Sequence, residues 1–175
     1  MQKDSYGVPN TSVFLQIDHD PEIMGIEKNY PKVYLDVCCL CRPFDDQSSI
    51  RIRLEMTAVL EIIRLCTINE LNLITSEAII EEISNIPDNN KRIRVEKLLS
   101  TSREHIFIDE EIISRMHEII AMGGDAMDSL HIACAEKGDA LFISTDDDLI
   151  TFIIGHKNIH INGYNPVTWL EEEGR

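Results

Sequence analysis

Short β-rich runs alternate with amphipathic stretches along most of this chain, and that alternation restricts its fold more than any single residue does. Residues 32–37 form a compact run rich in β-branched and aromatic side chains. Residues 71–75, 105–108, 140–143 and 159–161 form four more. After the first run, apolar residues recur at Ile52, Met56, Val59, Ile63 and Cys66. Those spacings of three and four predict one long helix over 48–69, capped by Ser48 or Ser49. Ser76 caps a predicted helix over 77–86, which Pro87 stops. A helix over 88–100 places Ile93, Leu98 and Leu99 on its apolar side, and another over 110–122 ends at Gly123-Gly124. Asp125 is a good N-cap for a helix reaching Lys137, with Gly138 at the position just past its end. Asp146, Asp147 and Asp148 begin a helix after the fourth run, and Asn165-Pro166 opens a last helical turn over 167–170. Strands that alternate with helices predict an α/β fold with a mostly parallel five-stranded sheet. Residues 1–30 carry Gly7, Pro9, Pro21 and Gly25 without sustained periodicity. They are expected to be a loosely ordered extension before one domain over 31–175.

Charge removes several function classes. Sixteen Lys and Arg stand against 31 Asp and Glu, a formal charge of −15. A general electrostatic sleeve for nucleic acid needs clustered basic residues and is excluded. Apolar runs such as Phe152-Ile153-Ile154 are far too short to span a membrane. The first residues lack the basic and apolar regions of a signal peptide, so a cytoplasmic location without membrane contact is expected. The five cysteines are odd in number, which suits reduced thiols. Cys38 and Cys41 form a C-x-x-C pair, but a structural zinc site needs four ligands, and His156 and His160 lie far downstream. These cysteines are expected to be small apolar residues at a strand end. His117-Glu118 resembles the start of a zinc-protease helix, but Ala121 stands where the second His is required.

The chemistry-bearing residues are carboxylates. In open parallel sheets, ligands bind beyond the carboxyl ends of the strands, where the strand order reverses. Asp36 lies near the end of the first strand, and Asp146–Asp148 follow the fourth. Glu82 and Asp128 are embedded among apolar neighbours on their helices. Each acid alone has a plain reading as a cap or a solvated charge. Together they suggest convergence. Two charges 4 Å apart repel by about 4 kcal/mol at an effective dielectric of 20. A converged set of carboxylates therefore calls for a cation, and oxygen-only ligands suit Mg²⁺ or Mn²⁺. Such a metal would attract a substrate phosphate that the global charge repels.

The segments Val33-Tyr34-Leu35-Asp36, Ser76 to Ile83, Asp128-Ser129-Leu130-His131-Ile132-Ala133, and Ile143 to Leu149 resemble the PIN-domain family of metal-dependent ribonucleases. The likeness runs over about residues 32–171, and the third segment is its most specific part. The resemblance implies a three-layer fold with sheet order 3-2-1-4-5. It also implies that Asp36, Glu82, Asp128 and Asp146 are the catalytic acids that hold Mg²⁺ or Mn²⁺. Asp147 adds an outer-sphere contact in that picture, and Ser144 is the small hydroxyl residue beside the substrate. Arg42, with Arg51 and Arg53, is a candidate for the phosphate of an RNA substrate; exposed solubilising positions are the plain alternative. His131 is expected to be a packed or hydrogen-bonded structural residue. Many family members are toxins of VapBC-type toxin–antitoxin pairs that form homodimers, which implies a small antitoxin partner. The segment from Cys38 to Asp46 resembles a separate branch of the family. Two rival functions follow. A haloacid-dehalogenase-type phosphatase needs an Asp where Cys38 stands. A catalytically silent PIN-like scaffold would bind a protein partner through the same fold.

Overall fold

The computed structural model describes residues 30–172, so almost all of the expected extension over 1–30 lies outside the described residues. Five strands form one sheet: β1 (Lys32–Leu35), β2 (Asn72–Ser76), β3 (Glu104–Ile106), β4 (Leu141–Ile143) and β5 (Gly163–Tyr164). Every pairing is parallel, in the order β3-β2-β1-β4-β5. The helices are α1 (Val37–Cys41), α2 (Ile50–Thr67), α3 (Glu77–Ser84), α4 (Asn89–Leu98), α5 (Glu110–Ala121), α6 (Ala126–Gly138), α7 (Asp147–Gly155) and α8 (Pro166–Glu172). They cover both faces of the sheet, as parallel strands require.

β1 is the centre of the core. Val33, Tyr34 and Leu35 are completely buried, and Tyr34 stacks on Phe142 of β4 with ring centroids 5.7 Å apart. Burying side chains of this size contributes about 1.5–3 kcal/mol each. From β1 the chain moves outward to β2 and β3, then crosses back to β4 on the other side of β1. That reversal opens a crevice at the carboxyl ends of β1 and β4.

Several local expectations need correction. β1 ends at Leu35, two residues early, because the Asp36 side chain accepts the Val37 N–H and starts α1. Cys38, Cys39 and Cys41 therefore sit on a helix and not at a strand end. All five cysteines are free, and burial pushes the thiols of Cys66 and Cys134 up to about 12 and about 11. Gly138 is the last residue of α6, and Asp139 takes the left-handed conformation at φ 52°. Glycine fits closely at 138: a Cβ there would lie 2.2 Å from Ile74 Cδ1 and would displace the end of that side chain. The fifth strand is Gly163–Tyr164 instead of 159–161, because β4 pairs Phe142 with Gly163 and Ile143 with Tyr164. Ile159 is buried from the preceding loop. On α4, Ile93 is exposed, Val95 is buried, and Leu98 packs against the core as expected.

Candidate metal centre

The crevice is built around Asp36. Its backbone N–H donates to Ile143 O at 3.0 Å, tying the end of β1 to β4. Its Oδ1 accepts the Val37 N–H at 2.7 Å, and its Oδ2 accepts from Ser144 Oγ at 2.8 Å and from Cys38 Sγ at 2.9 Å. The carboxylate is 7% exposed. Ser144 is completely buried, and its oxygen also accepts the Asp146 N–H at 3.0 Å. The substrate contact expected of Ser144 would need a hydroxyl at the surface. Here that hydroxyl is spent on orienting Asp36.

Glu82 arrives from α3 and points toward α6. Its Oε2 lies 2.8 Å from His131 Nε2, and His131 Nδ1 lies 2.7 Å from the Tyr34 hydroxyl. The Tyr34 hydroxyl is 2.6 Å from Ser76 Oγ, which accepts the Ile79 N–H at the start of α3. Burial pushes the Tyr34 phenol well above its usual range. The potential ligand atoms of Asp36, Glu82 and His131 all lie within 4.8 Å of one another. Asp36 and Glu82 are thus brought together, and the third member of this tight group is His131, buried and hydrogen-bonded through both ring nitrogens as the sequence predicts.

Asp128 and Asp146 lie around that group. Asp146 caps α7 with Oδ1, which accepts the N–H groups of Asp148 at 2.9 Å and Leu149 at 3.1 Å. Asp128, in the first turn of α6, has its carboxyl raised to about 6. Burial is the main cause, and the negative charges of Asp36, Asp125 and Asp146 add to it. Asp128 therefore senses both strand-end acids through space.

A cleft of about 460 Å³ opens beside these acids, lined by Cys38, Arg42, Arg51, Thr145 and Asp146–Asp148. Its two arginines share Glu55 on α2, an acid only 2% exposed. Arg51 Nε donates to Glu55 Oε1 at 2.7 Å, and Asn165 donates to the same oxygen at 3.2 Å. Arg42 Nε lies 2.8 Å from Glu55 Oε2, an ion pair whose angles fall short of a hydrogen bond. Arg51 also grips both oxygens of Asp147 at 2.7 and 2.8 Å. That grip holds the Asp147 carboxyl below its usual range. Arg53 donates to Gln47 O and Ser48 O and stays out of the cleft lining. Glu55 escaped sequence reasoning, although an acid lying between Ile52 and Val59 on the apolar stripe of α2 was the available signal.

A family model for the PIN domain matches residues 34–152. The chain belongs to the PIN-domain family. PIN domains are generally nucleases and typically use a divalent metal. No curated protein matches this PIN domain. Its fold is shared by FitAcB from Neisseria gonorrhoeae, with 14% identity and a TM-score of 0.52, covering 77% of this chain and 97% of that one. It is shared too by VapBC2 from Rickettsia felis, bound to a DNA fragment from their promoter, with 12% identity and a TM-score of 0.54. That match covers 77% of this chain and 98% of the other. FitAB bound to an IR36 DNA fragment matches at 15% identity and a TM-score of 0.51, over 77% of this chain and 95% of that one. At these identities the likeness is one of fold. Among the described residues, no helix is long and apolar enough to cross a membrane.

Proposed function

We propose that this PIN domain is a Mg²⁺- or Mn²⁺-dependent endoribonuclease in which Asp36, Glu82, Asp128 and Asp146 hold the cation. The observation that carries this reading is the convergence at the carboxyl ends of β1 and β4. Asp36 and Glu82 lie within one ligand shell's reach, and Asp128 is raised to about 6 by burial and by Asp36 and Asp146. This donor set is carboxylate oxygen throughout and fits a hard divalent ion. When bound, such an ion neutralises the acids, lowers the pKa of a coordinated water and offsets charge on a phosphodiester.

The chain's own residues supply the rest. Ser144, Cys38 and the Val37 N–H hold Asp36 in one orientation. Arg42 and Arg51 line the cleft next to Asp146, and an RNA phosphate would reach them only in competition with their partners Glu55 and Asp147. The experiment is RNA cleavage with and without Mg²⁺ or Mn²⁺, using Asp36→Asn as the control. Loss of on the order of 100- to 1000-fold is expected for the variant, from several kcal/mol of charge stabilisation. A wild type that cleaves no RNA with either metal overturns the enzyme reading and favours a binding scaffold.

We further propose that the protein is the toxin of a toxin–antitoxin pair. Structures of the same fold include VapBC2, and α2 exposes Ile50 and Leu54 one helical turn apart, a face for a partner helix. An antitoxin placing Arg or Lys near Asp36 and Asp128 would neutralise the acids, and the −15 charge would speed its approach. Co-expression with the genomic neighbour should yield a co-purifying small basic protein. Its absence, with unimpaired growth on expression of this chain alone, overturns the toxin reading. A homodimer is part of the same proposal and would be read from the solution mass.

A further inference from the structure

We infer that His131 is a positioning residue: it holds the Glu82 carboxylate through one imidazole tautomer, protonated at Nε2, which Tyr34 and Ser76 lock from behind. The functional consequence rests on the nuclease reading above, whereas the tautomer can be measured without it.

A carboxylate oxygen accepts only, so Glu82 Oε2 at 2.8 Å requires a proton on His131 Nε2. In a neutral imidazole the other nitrogen then accepts. Its neighbour at 2.7 Å is the Tyr34 hydroxyl, which must donate. With that proton spent, the 2.6 Å contact with Ser76 is satisfied only if Ser76 donates to the Tyr34 oxygen. Ser76 Oγ in turn accepts the Ile79 N–H at 3.2 Å. The bonds then run in one direction from the backbone of α3 to a carboxylate on the same helix.

The chain passes through β1 and α6, so the three elements fix one another. Ser76 and Tyr34 are completely buried and His131 is 1% exposed. Water therefore has no access with which to substitute for a missing partner, and the alternative tautomer would leave a buried group unpaired. Glu82 itself is 38% exposed on its side chain, and without this anchor it would sample several rotamers. The protonated Nε2 has no lone pair to offer. His131 consequently stays outside the ligand set although its nitrogen lies within 4.8 Å of the Asp36 and Glu82 oxygens.

The test begins on the full-length wild-type protein. Long-range ¹H–¹⁵N correlation spectra, with His131 assigned by its loss in His131→Gln, should show Nε2 protonated and Nδ1 bare, unchanged by saturating Mg²⁺. A proton on Nδ1, or loss of the Nε2 proton on adding Mg²⁺, overturns the inference. Mg²⁺ affinity of His131→Gln and His131→Leu is then measured by calorimetry on folded protein. Glutamine keeps an N–H donor near the Nε2 position and should bind like wild type. Leucine should bind about 10- to 100-fold more weakly, the usual cost of losing a group that orients a metal ligand. Equal affinity of the two variants overturns the positioning role. If the tautomer is as stated but wild type neither binds Mg²⁺ nor cleaves RNA, the nuclease reading falls while the hold on Glu82 stands.

Discussion

Glu55 and Asp128 are both acids withdrawn from water, and the protein treats them oppositely. Glu55 is 2% exposed and meets Arg42, Arg51 and Asn165, so its charge is answered from within the chain. Asp128 is half-buried and meets Asp36, Asp125 and Asp146, so its charge is opposed. One arrangement is complete as it stands. The other is unfavourable in the isolated protein, and the cation proposed above would relieve it. The difference separates a carboxylate whose charge is answered within the fold from one whose charge its neighbours oppose, although both are the same chemical group.

The comparison breaks most easily at Glu55. Glu55→Gln removes one of the two carboxylates paired with the largely buried Arg42 guanidinium and leaves it Asp45 alone. A loss of about 3 kcal/mol in urea unfolding is expected, at the low end for a broken buried pair because Arg51 is half in solvent. No loss would mean that Glu55 is not structural. The metal arm comes next. At about 100 times its Kd, Mg²⁺ or Mn²⁺ should stabilise the wild type by about 2.7 kcal/mol, roughly 5–10 °C in Tm, and Asp128→Asn should lose much of that increment. An equal response in both proteins would remove Asp128 from the cation site.

Asp128→Asn in the absence of divalent metal sharpens the contrast. The folded carboxyl titrates near 6 and the reference value is 3.8, so ionising it costs more in the folded state. That cost is absent below about pH 3.8, grows between 3.8 and 6, and is complete above 6. The variant should therefore gain about 1 kcal/mol at pH 7–8, after allowance for solvent screening at a half-exposed site, and gain nothing at pH 3.5. Asp36 is a poorer probe, because three donors grip its carboxylate and its neutralisation would also disturb them. The smallest effect belongs to Asp147→Asn. Arg51 and Asp147 are both more than half exposed, so their separation should cost about 0.5 kcal/mol, and less at high salt. A cost as large as that at Glu55 would mean that the outer pair is part of the structural network too.

The position of each candidate acid in the fold could be read from the chain, for a local reason. Asp36, Glu82, Asp128 and Asp146 could be placed because each lies at a strand end or on a helical face that short-range spacing reveals. Caps such as Ser76 and Asp125 were legible likewise, since they bond to residues two or three positions ahead. The early end of β1 and the position of β5 were not. Asp36 chose between prolonging a strand and starting a helix, and β5 was set by its register with β4 and by the space that Ile153 leaves at Gly163.

The alternation of strands and helices, the excess of acid and the order of the four carboxylates belong to the sequence by itself, because periodicity and charge are properties of neighbouring residues. What each acid faces was decided only when the chain folded. Ser144 meets Asp36 across 108 positions, Tyr34 meets His131 across 97, and His131 meets Glu82 across 49. Glu55 finds Arg51 four residues away, but Asn165 reaches it across 110. Whether a buried carboxylate is answered by arginine or left among other acids depends on those distant partners, and spacing along the chain carries no record of them.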